Sequence, residues 1–415
     1  MLLAFSVVLA ALAILNRRYG GSWLYPSAAF CGIWAVLIFG LLLAGNSFDP
    51  VSVDVLLLYA IGAVCFSVAG FLTDRLRFVG ALADAETDAP QEDMSVTERR
   101  MLAIGALLLI LLLPAYWQGI MTMSAASTRS DLWQAIRAQT VAASEGDIGL
   151  GALGLIVPFG TFLALVAVYL NPRTTMERAV AALIVTSSLA VHVVTAARLG
   201  AFVTLFALAA ILWLRDGKIK PRYVAVFVVC FSLIFAFAAI VLEKGAVRDA
   251  GPLENVRMLA DSFRVYLLGG LVAFDKVVQD AAPASPPFYT LRFFYAVAQS
   301  LGWNTEVPHI ILPFSTVPDL TNVYTMYYPY YTDFGIAGLC LLTAIVGGAL
   351  TALYRAARAG RPAAAVLYGL AFAFLLLSSS LEGFIVNLSY WIRATVFVNL
   401  FFRLPGWLRL MRPTP

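Results

Sequence analysis

Cationic side chains occur in this chain where the usual charge pattern of a membrane protein does not place them. Lys and Arg normally concentrate in cytoplasmic loops, and one orientation puts most of the chain's Lys and Arg on one side. The cations that fall on the other side, or in a span entering from it, are Arg129, Arg137, Arg198, Lys244, Arg248, Arg257, Arg264, Lys276, Arg292 and Arg393. Because guanidinium groups match phosphate oxygens bidentately, these positions indicate an anionic substrate on the external face.

The elements that position these cations must be membrane helices. With 61% hydrophobic and 13% charged residues, the chain has too little polar surface to cover a water-soluble domain of 415 residues. Hydrocarbon permits only helices or closed barrels, and the long unbroken apolar runs favour helices. We therefore predict an all-α, polytopic integral membrane protein. The net charge of +4 is modest and unevenly spread, so it gives no indication of a nucleic-acid partner.

Hydropathy predicts about eleven membrane spans. They cover approximately residues 2–16, 27–45, 52–72, 101–120, 149–170, 179–195, 199–214, 223–242, 333–354, 362–381 and 388–403. The charge pattern places the N-terminus outside and the C-terminus inside. The first apolar stretch has no positive region before it, which favours a retained span over a signal peptide.

The same pattern predicts one integral membrane domain over residues 1–415. A cytoplasmic loop covers 73–100, one external loop covers 121–148, and a large external loop covers 243–332. In the first external loop, a helical stretch from Ser130 to Thr140 carries Arg137 eight positions after Arg129.

The large external loop is predicted to contain an amphipathic helix. Pro252 suits a first helical turn, and Leu253, Val256, Ala260, Phe263 and Leu267 follow with heptad-like spacing. Arg257 and Arg264 share another face, with Asp261 between them. This pattern is typical of a helix that lies at the membrane interface with a cationic side. The prolines that end it are Pro283, Pro286 and Pro287.

A tyrosine-rich motif follows at the end of that loop. It reads Asn322-Val323-Tyr324-Thr325, then Tyr327, Tyr328, Pro329, Tyr330 and Tyr331, then Asp333-Phe334-Gly335 with Gly338 opening a span. Here the chain resembles the bacterial O-antigen polymerases, the Wzy-type oligosaccharide repeat-unit polymerases. The run Tyr266, Leu267, Gly269 and Gly270 and the placement of Arg198 at the start of a span are also similar to that family. One departure is that Gly149 follows Arg137 one position later than the Arg-x10-Gly spacing of some members.

The resemblance implies a GT-C-like architecture and a glycosyltransferase in the bacterial inner membrane, with its active site facing the periplasm. Such an enzyme transfers a glycan from undecaprenyl pyrophosphate onto a lipid-linked repeat unit. Its expected partners are the undecaprenyl-pyrophosphate-linked oligosaccharide, membrane lipids and a chain-length regulator of the Wzz type. Nucleic acid is not among them.

The chemistry of such a transfer assigns roles to the motif residues. Pyrophosphate gains charge as the glycosidic bond breaks, so positioned arginines stabilise the transition state more than the ground state. The residues expected at the reacting centre are Arg198, Arg248, Arg257, Arg264 and Asp333. Tyrosines offer sugars an apolar ring with a polar tip. The residues expected to bind substrate are Arg129, Arg137, His309, Asn322, Tyr324, Thr325, Tyr328, Tyr331 and Arg393.

A base must also accept the acceptor hydroxyl's proton. The candidates are His309, Asp249, Glu254, Asp261, Asp333 and Glu382. No cofactor and no metal are expected, because the only histidines are His192 and His309 and no external carboxylates have recognisable ligand spacing. The cysteines Cys31, Cys65, Cys230 and Cys340 lie in apolar spans without CxxC spacing, which indicates small core residues.

Structural interpretations compete with these roles. The tyrosines suit an interfacial aromatic belt, Asp333 suits a helix N-cap, and His192 suits a buried core position. Gly335 and Gly338 suit close helix packing. Arg198 and Arg393 can extend their charged ends to the interface.

Three other functions also fit parts of the pattern. An O-antigen ligase shares the lipid donor and the external arginines, but its acceptor is the lipid A core. Another polyprenyl-dependent glycosyltransferase usually has an acidic pair in its first external loop, which Asp49 and Asp54 match poorly. A lipid-linked oligosaccharide flippase is expected to carry cations through the bundle interior and to contain inverted repeats.

Overall fold

The computed structural model describes residues 1–76, 94–125, six positions between 132 and 139, 151–195, 198–218, 220–241, 251–280 and 286–410. Thirteen α-helices are numbered here in chain order over these residues. They are α1 Leu2–Gly20, α2 Pro26–Ala44, α3 Val53–Arg75, α4 Val96–Ala125, α5 Ile156–Tyr169, α6 Thr175–Val194, α7 Arg198–Asp216, α8 Pro221–Val241, α9 Pro252–Asp280, α10 Arg292–Ser300, α11 Tyr327–Arg358, α12 Pro362–Leu376 and α13 Leu388–Leu410. A short hairpin pairs β1 Ser315–Val317 with β2 Asp319–Thr321.

The described part of the chain is therefore almost entirely helical, as predicted. Eight of its helices are long and apolar enough to cross a membrane: Leu2–Gly20, Pro26–Ser47, Val53–Arg75, Val96–Ala125, Gly151–Tyr169, Thr175–Val193, Arg198–Asp216 and Tyr327–Arg358. This content indicates a multi-pass membrane protein. The other three predicted spans correspond to α8, α12 and α13, which are outside that set of eight. Eleven spans and a GT-C-like arrangement stay predictions.

Several helix ends follow from local sequence. Pro252 stands at the first position of α9, and the helix ends at Asp280, before the predicted proline break. Thr174 and Glu177 form a capping box at the start of α6, which satisfies two backbone donors. The described positions between 132 and 139 are helical, as predicted for the stretch from Ser130 to Thr140.

The tyrosine-rich motif departs from the predicted span boundary. Helix α11 begins at Tyr327, six positions before the predicted start of the span. Gly335 interrupts it with φ 63° and ψ −153°, a backbone conformation that glycine adopts at little cost. The glycine of the Asp-Phe-Gly motif therefore redirects the chain between a short tyrosine-rich turn and the long apolar part of α11.

The chain divides into two compact units. Unit 1 comprises residues 1–85, 260–359 and 374–389, and unit 2 comprises residues 86–259, 360–373 and 390–415. In unit 1, α1 packs on α2, and α3 packs on α11. In unit 2, α5 packs on α4, α6 and α7, and α8 packs on α7.

An aromatic cluster forms the core of unit 1. The Tyr327 ring lies 4.9 Å from the Trp34 ring and 5.7 Å from the Tyr59 ring, measured between centroids. Phe30 stacks on Phe66 nearby. Tyr59 donates a hydrogen bond to the Leu271 carbonyl oxygen, 2.8 Å away, so the cluster includes α9. Burial of large aromatic rings contributes strongly to packing of this kind.

Helix α9 contributes to this core only in its second half. Leu268, Leu271, Val272, Ala273 and Phe274 are buried, whereas the predicted apolar stripe before them remains exposed at Val256, Phe263 and Leu267. The predicted stripe ends at Leu267, and from Leu268 onward the helix is covered by other residues. A position of the stripe at the membrane interface stays a prediction.

Candidate functional site: a cation patch beside a buried tyrosine segment

The tyrosine-rich motif belongs to the interior of unit 1. Tyr324, Tyr327, Tyr328 and Tyr330 are all buried, and Tyr331 is partly buried with its ring edge against Phe274. The Tyr324 hydroxyl donates to the Pro313 carbonyl oxygen at 3.0 Å, and burial raises the pKa of this phenol. An aromatic belt at the membrane surface does not describe this segment. Of the tyrosines predicted to bind sugar, Tyr331 alone keeps part of its surface exposed.

Two motifs separated in sequence meet at α9. A Cβ added to Gly270 would lie 2.4 Å from the Ser379 carbonyl oxygen and 3.5 Å from the Val323 carbonyl oxygen. Only glycine permits this approach. The Met326 amide donates to the Ser378 carbonyl oxygen at 2.8 Å, which joins the same two segments. The double glycine of α9 therefore packs against the Asn-Val-Tyr-Thr motif and the segment before α13.

Asn322 and Thr325, the polar ends of that motif, differ in exposure. Asn322 is partly buried. Thr325 is buried, and its hydroxyl has no hydrogen-bond partner among the described residues. Direct contact with a sugar therefore requires less rearrangement at Asn322 than at Thr325.

Asp333 connects α11 to the turn that precedes α10. Its carboxylate accepts hydrogen bonds from the Tyr289 amide at 3.1 Å, the Thr290 amide at 2.7 Å and the Thr290 hydroxyl at 2.7 Å. The side chain is buried. The sequence suggested a cap on its own helix, but the carboxylate caps the 3₁₀ turn Tyr289–Leu291 instead. This arrangement is that of a structural tie, and a catalytic role for Asp333 stays a prediction.

Glu382 holds the segment between α12 and α13 in a comparable way. Its carboxylate accepts from the Tyr330 hydroxyl at 2.7 Å and from the amides of Phe384, Ile385 and Val386 at 2.7–2.8 Å. Burial raises the pKa of this carboxyl, while the hydrogen bonds oppose that rise. Sequence reasoning named Glu382 only as a base. The bonding partners fit a structural anchor better, because donors surround the carboxylate.

Cations of α9 contact the segment between α2 and α3. Arg264 donates to the Ser47 hydroxyl at 2.9 Å and forms an ion pair with Asp261. Lys276 lies 3.0 Å from the Asp49 carboxylate and donates to the Thr316 carbonyl oxygen at 2.7 Å. We call Arg264, Lys276, Asp261, Asp49 and Ser47 the α9 cation patch.

A buried carboxylate lies next to the cation patch and anchors α9 to the start of α3. Asp275, adjacent to Lys276, accepts hydrogen bonds from the Ser52 amide, the Ser52 hydroxyl and Gln279. Asp275 is 2% exposed, and Ser52 is also the N-cap of α3. This contact between residues 223 positions apart was not predicted, because nothing in the local sequence distinguishes Asp275 from a solvated acid on a helix.

The cation patch and the cations predicted to be cytoplasmic lie at opposite ends of α3. Ser52 begins α3, whereas Asp74 near its other end pairs with Arg355 and accepts a hydrogen bond from Tyr25 at 2.9 Å. The charge pattern predicted this separation within unit 1. Which end faces the cytoplasm stays a prediction.

The other cations predicted to bind substrate lie outside the cation patch or outside the described residues. Arg257 lies exposed on α9, seven positions before Arg264. Arg393 is exposed on α13, and Arg198 begins α7 with its guanidinium 5.6 Å from the Phe235 ring centroid. Arg129, Arg137 and Arg248 lie outside the described residues, as does Asp249. Arg198 belongs to unit 2 and Arg264 to unit 1, so their convergence stays a prediction.

The two histidines differ in environment. His309 is exposed in the segment before the hairpin. His192 is buried in unit 2, with Nε2 lying 3.1 Å from the Thr161 hydroxyl and 3.3 Å from the Thr204 hydroxyl. Its core position was anticipated. Metal independence stays a prediction, although the described residues contain no group of three His, Cys, Asp or Glu that could hold an ion.

Comparison with known proteins gives one match to report. An O-antigen polymerase from Shigella dysenteriae is 28% identical over 116 residues, which are 28% of this chain and 29% of that protein. The matched region is therefore less than a third of either chain. No family model and no solved structure match.

Proposed function

We propose that this chain is a polymerase that transfers a glycan from undecaprenyl pyrophosphate to a lipid-linked repeat unit at the periplasmic face of the bacterial inner membrane. The partial similarity to an O-antigen polymerase supports a role of this class. The observation that carries the proposal is the α9 cation patch, in which Arg264 and Lys276 are paired with exposed carboxylates. Such pairs can open to an anionic ligand at little cost.

In the proposed reaction, the acceptor hydroxyl oxygen attacks the anomeric carbon of the donor glycan. The bond from that carbon to the pyrophosphate oxygen breaks, and the lipid pyrophosphate leaves with the bonding electrons. Arg264 has five N–H donors, of which Ser47 and Asp261 use only part. The remaining donors face the charge that develops on the leaving group, where they stabilise the transition state.

Asp261 is the proposed base. Asp333 and Glu382 are buried, and each accepts three or more hydrogen bonds that a proton transfer would disturb. Asp261 is exposed and lies beside Arg264, so a hydroxyl approaching the bound pyrophosphate can reach it. The proton of the acceptor hydroxyl then passes to the Asp261 carboxylate.

The remaining residues keep the roles predicted from the sequence, adjusted for exposure where the structure describes them. Arg257, Arg198 and Arg248 keep the role that the resemblance implies for them, binding of phosphate. Asn322, Tyr331 and His309 contact sugar hydroxyls and rings, whereas Tyr324, Thr325 and Tyr328 shape the wall behind them. Arg129, Arg137 and Arg393 bind the more distant parts of the donor or acceptor. A chain-length regulator of the Wzz type is a further proposed partner.

The function is tested by incubating the purified full-length protein, reconstituted in vesicles, with a lipid-linked repeat unit. A polymerase produces a ladder of lipid-linked products that differ by one repeat unit. The variants Glu382→Gln and Arg264→Ala are assayed in the same way. Transfer to lipid A core without a ladder would identify a ligase, and movement of unchanged substrate across the bilayer would identify a flippase.

Orientation is tested separately by labelling single cysteines with a reagent that does not cross membranes. Cysteines at positions 261 and 309 are expected to react in intact cells, and one at position 358 is expected to react only after permeabilisation. The opposite result would place the cation patch in the cytoplasm and remove the proposed substrate from its reach.

A further inference from the structure

Helix α10 presents an apolar face that stays largely exposed among the described residues. Phe294, Val297 and Leu301 are 57%, 41% and 71% exposed, and Trp303 shortly after the helix is 67% exposed. Positions 294, 297 and 301 share one face because their spacing is three and four residues. Exposed apolar groups of this size on one face indicate an interaction surface.

The composition around α10 points to lipid as the partner. Residues 293–305 contain no charged side chain. The helix has nine residues, far fewer than the roughly 20 needed to cross a bilayer. Short apolar segments with aromatic residues are typical of the membrane–water interface, where Trp in particular is enriched.

The segment just before α10 is bonded to α11. The contact lies where the exposed apolar residues of α11 begin. Asp333 accepts hydrogen bonds from Tyr289 and Thr290, which directly precede α10, and the Phe288 ring lies 5.3 Å from the Phe334 ring. Phe334 and Ile336 are exposed in α11, and the exposed apolar residues continue through Leu341 and Ile345. The segment that leads into α10 is therefore fixed beside the start of the exposed apolar residues of a candidate membrane-spanning helix.

We propose that α10 lies in the membrane–water interface and inserts Phe294, Val297 and Leu301 among the lipids, with Trp303 at headgroup level. This inference is independent of the proposed enzymatic function. It gives Asp333 a physical role, since its hydrogen bonds hold the interfacial helix to α11. The same end is also held by Arg292, the first residue of α10, whose guanidinium donates to the Pro308 carbonyl oxygen at 2.8 Å.

The test places an environment-sensitive fluorescent amino acid at position 294, 297 or 301 of the full-length chain. Position 299 is the matched control, because Gln299 is exposed on the opposite face of α10. Each protein is reconstituted at low protein-to-lipid ratio in vesicles of phosphatidylethanolamine and phosphatidylglycerol. The vesicles contain lipids that carry a quencher near the top of the acyl chain. An unchanged unfolding temperature checks that each variant folds.

We expect blue-shifted emission and loss of fluorescence to the lipid quencher at positions 294, 297 and 301, and neither effect at position 299. Equal quenching at all four positions, or no quenching at any, would overturn the proposal. Emission at the first three positions that changes with protein-to-lipid ratio but not with the quencher would assign the face to a second copy of the chain, and would overturn it as well.

Discussion

Ion pairs lie at both ends of α3. Their cations are about equally exposed, but their carboxylates differ strongly in exposure. At one end the side chains of Arg264 and Lys276 are 39% and 38% exposed, and their partners Asp261 and Asp49 are 58% and 64% exposed. At the other end Arg355 is 37% exposed, but its partner Asp74 is only 4% exposed.

This difference separates the proposed binding surface from a structural tie. An exposed ion pair contributes about 0–1 kcal/mol to stability, because water and salt screen it. A buried carboxylate that loses its partner costs several times as much. The two ends should therefore respond to substitution in opposite ways, and the following predictions are ordered from the largest expected effect to the smallest.

Arg355→Ala should lower the free energy of unfolding by about 3 kcal/mol, because it leaves the buried Asp74 carboxylate with Tyr25 as its remaining side-chain partner among the described residues. The unfolding temperature of the purified protein in detergent measures this loss. Arg222→Ala is the matched control, since Arg222 is exposed and donates a hydrogen bond to the hydroxyl of its neighbour Tyr223. Equal unfolding temperatures for both variants would show that Asp74 is not a structural tie.

Arg264→Ala should lower the polymerisation rate about tenfold to a hundredfold, since a charge-assisted hydrogen bond contributes roughly 1.5–3 kcal/mol. The unfolding temperature should stay within error of the wild type. Arg264→Lys should recover only part of the rate, because lysine lacks the planar fork. Unchanged product length and amount in both variants would remove Arg264 from the site.

Asp333→Asn should lower the free energy of unfolding by about 1 kcal/mol, because an amide group cannot accept all three hydrogen bonds from Tyr289 and Thr290. The polymerisation rate per folded molecule should change little. Thr290→Val, which removes one of the same bonds, serves as the comparison and should have a smaller effect. A rate loss of a hundredfold or more with intact stability would make Asp333 catalytic.

Removal of divalent metal should have no effect on the rate, because the proposed positive charge comes from arginine and lysine. Polymerisation is measured before and after dialysis against EDTA, followed by addition of Mg²⁺ or Mn²⁺. If turnover disappeared in EDTA and returned with either ion, the cation patch would not suffice, and Asp249, Glu254 and Asp261 would become the candidate ligands.

The sequence predicted those features of the fold that depend on local signals. Pro252 marks the start of α9, the apolar runs mark the helices, and the separation of cations along α3 follows from the charge pattern of the loops. Each depends on neighbouring residues or on composition, both of which can be read without tertiary structure.

The candidate site could not be predicted in the same way, because its contacts join residues that are far apart in the sequence. Asp333 is tied to Thr290, 43 positions earlier, and Tyr330 is tied to Glu382, 52 positions later. A tyrosine motif that binds sugar and one that packs in a buried core can have the same composition. Only the packing of Tyr327 against Trp34 and Tyr59 distinguishes them.

The pyrophosphate site proposed at the α9 cation patch is tested most directly by binding. The affinity of the purified protein for a short-chain polyprenyl pyrophosphate is measured for the wild type, Arg264→Ala, Lys276→Ala and Arg222→Ala. We expect each of the two patch variants to bind about tenfold or more weakly than the wild type, since each removes a charge-assisted contact to phosphate. The Arg222→Ala variant should bind like the wild type. Equal affinity in all four proteins would contradict a pyrophosphate site at the α9 cation patch.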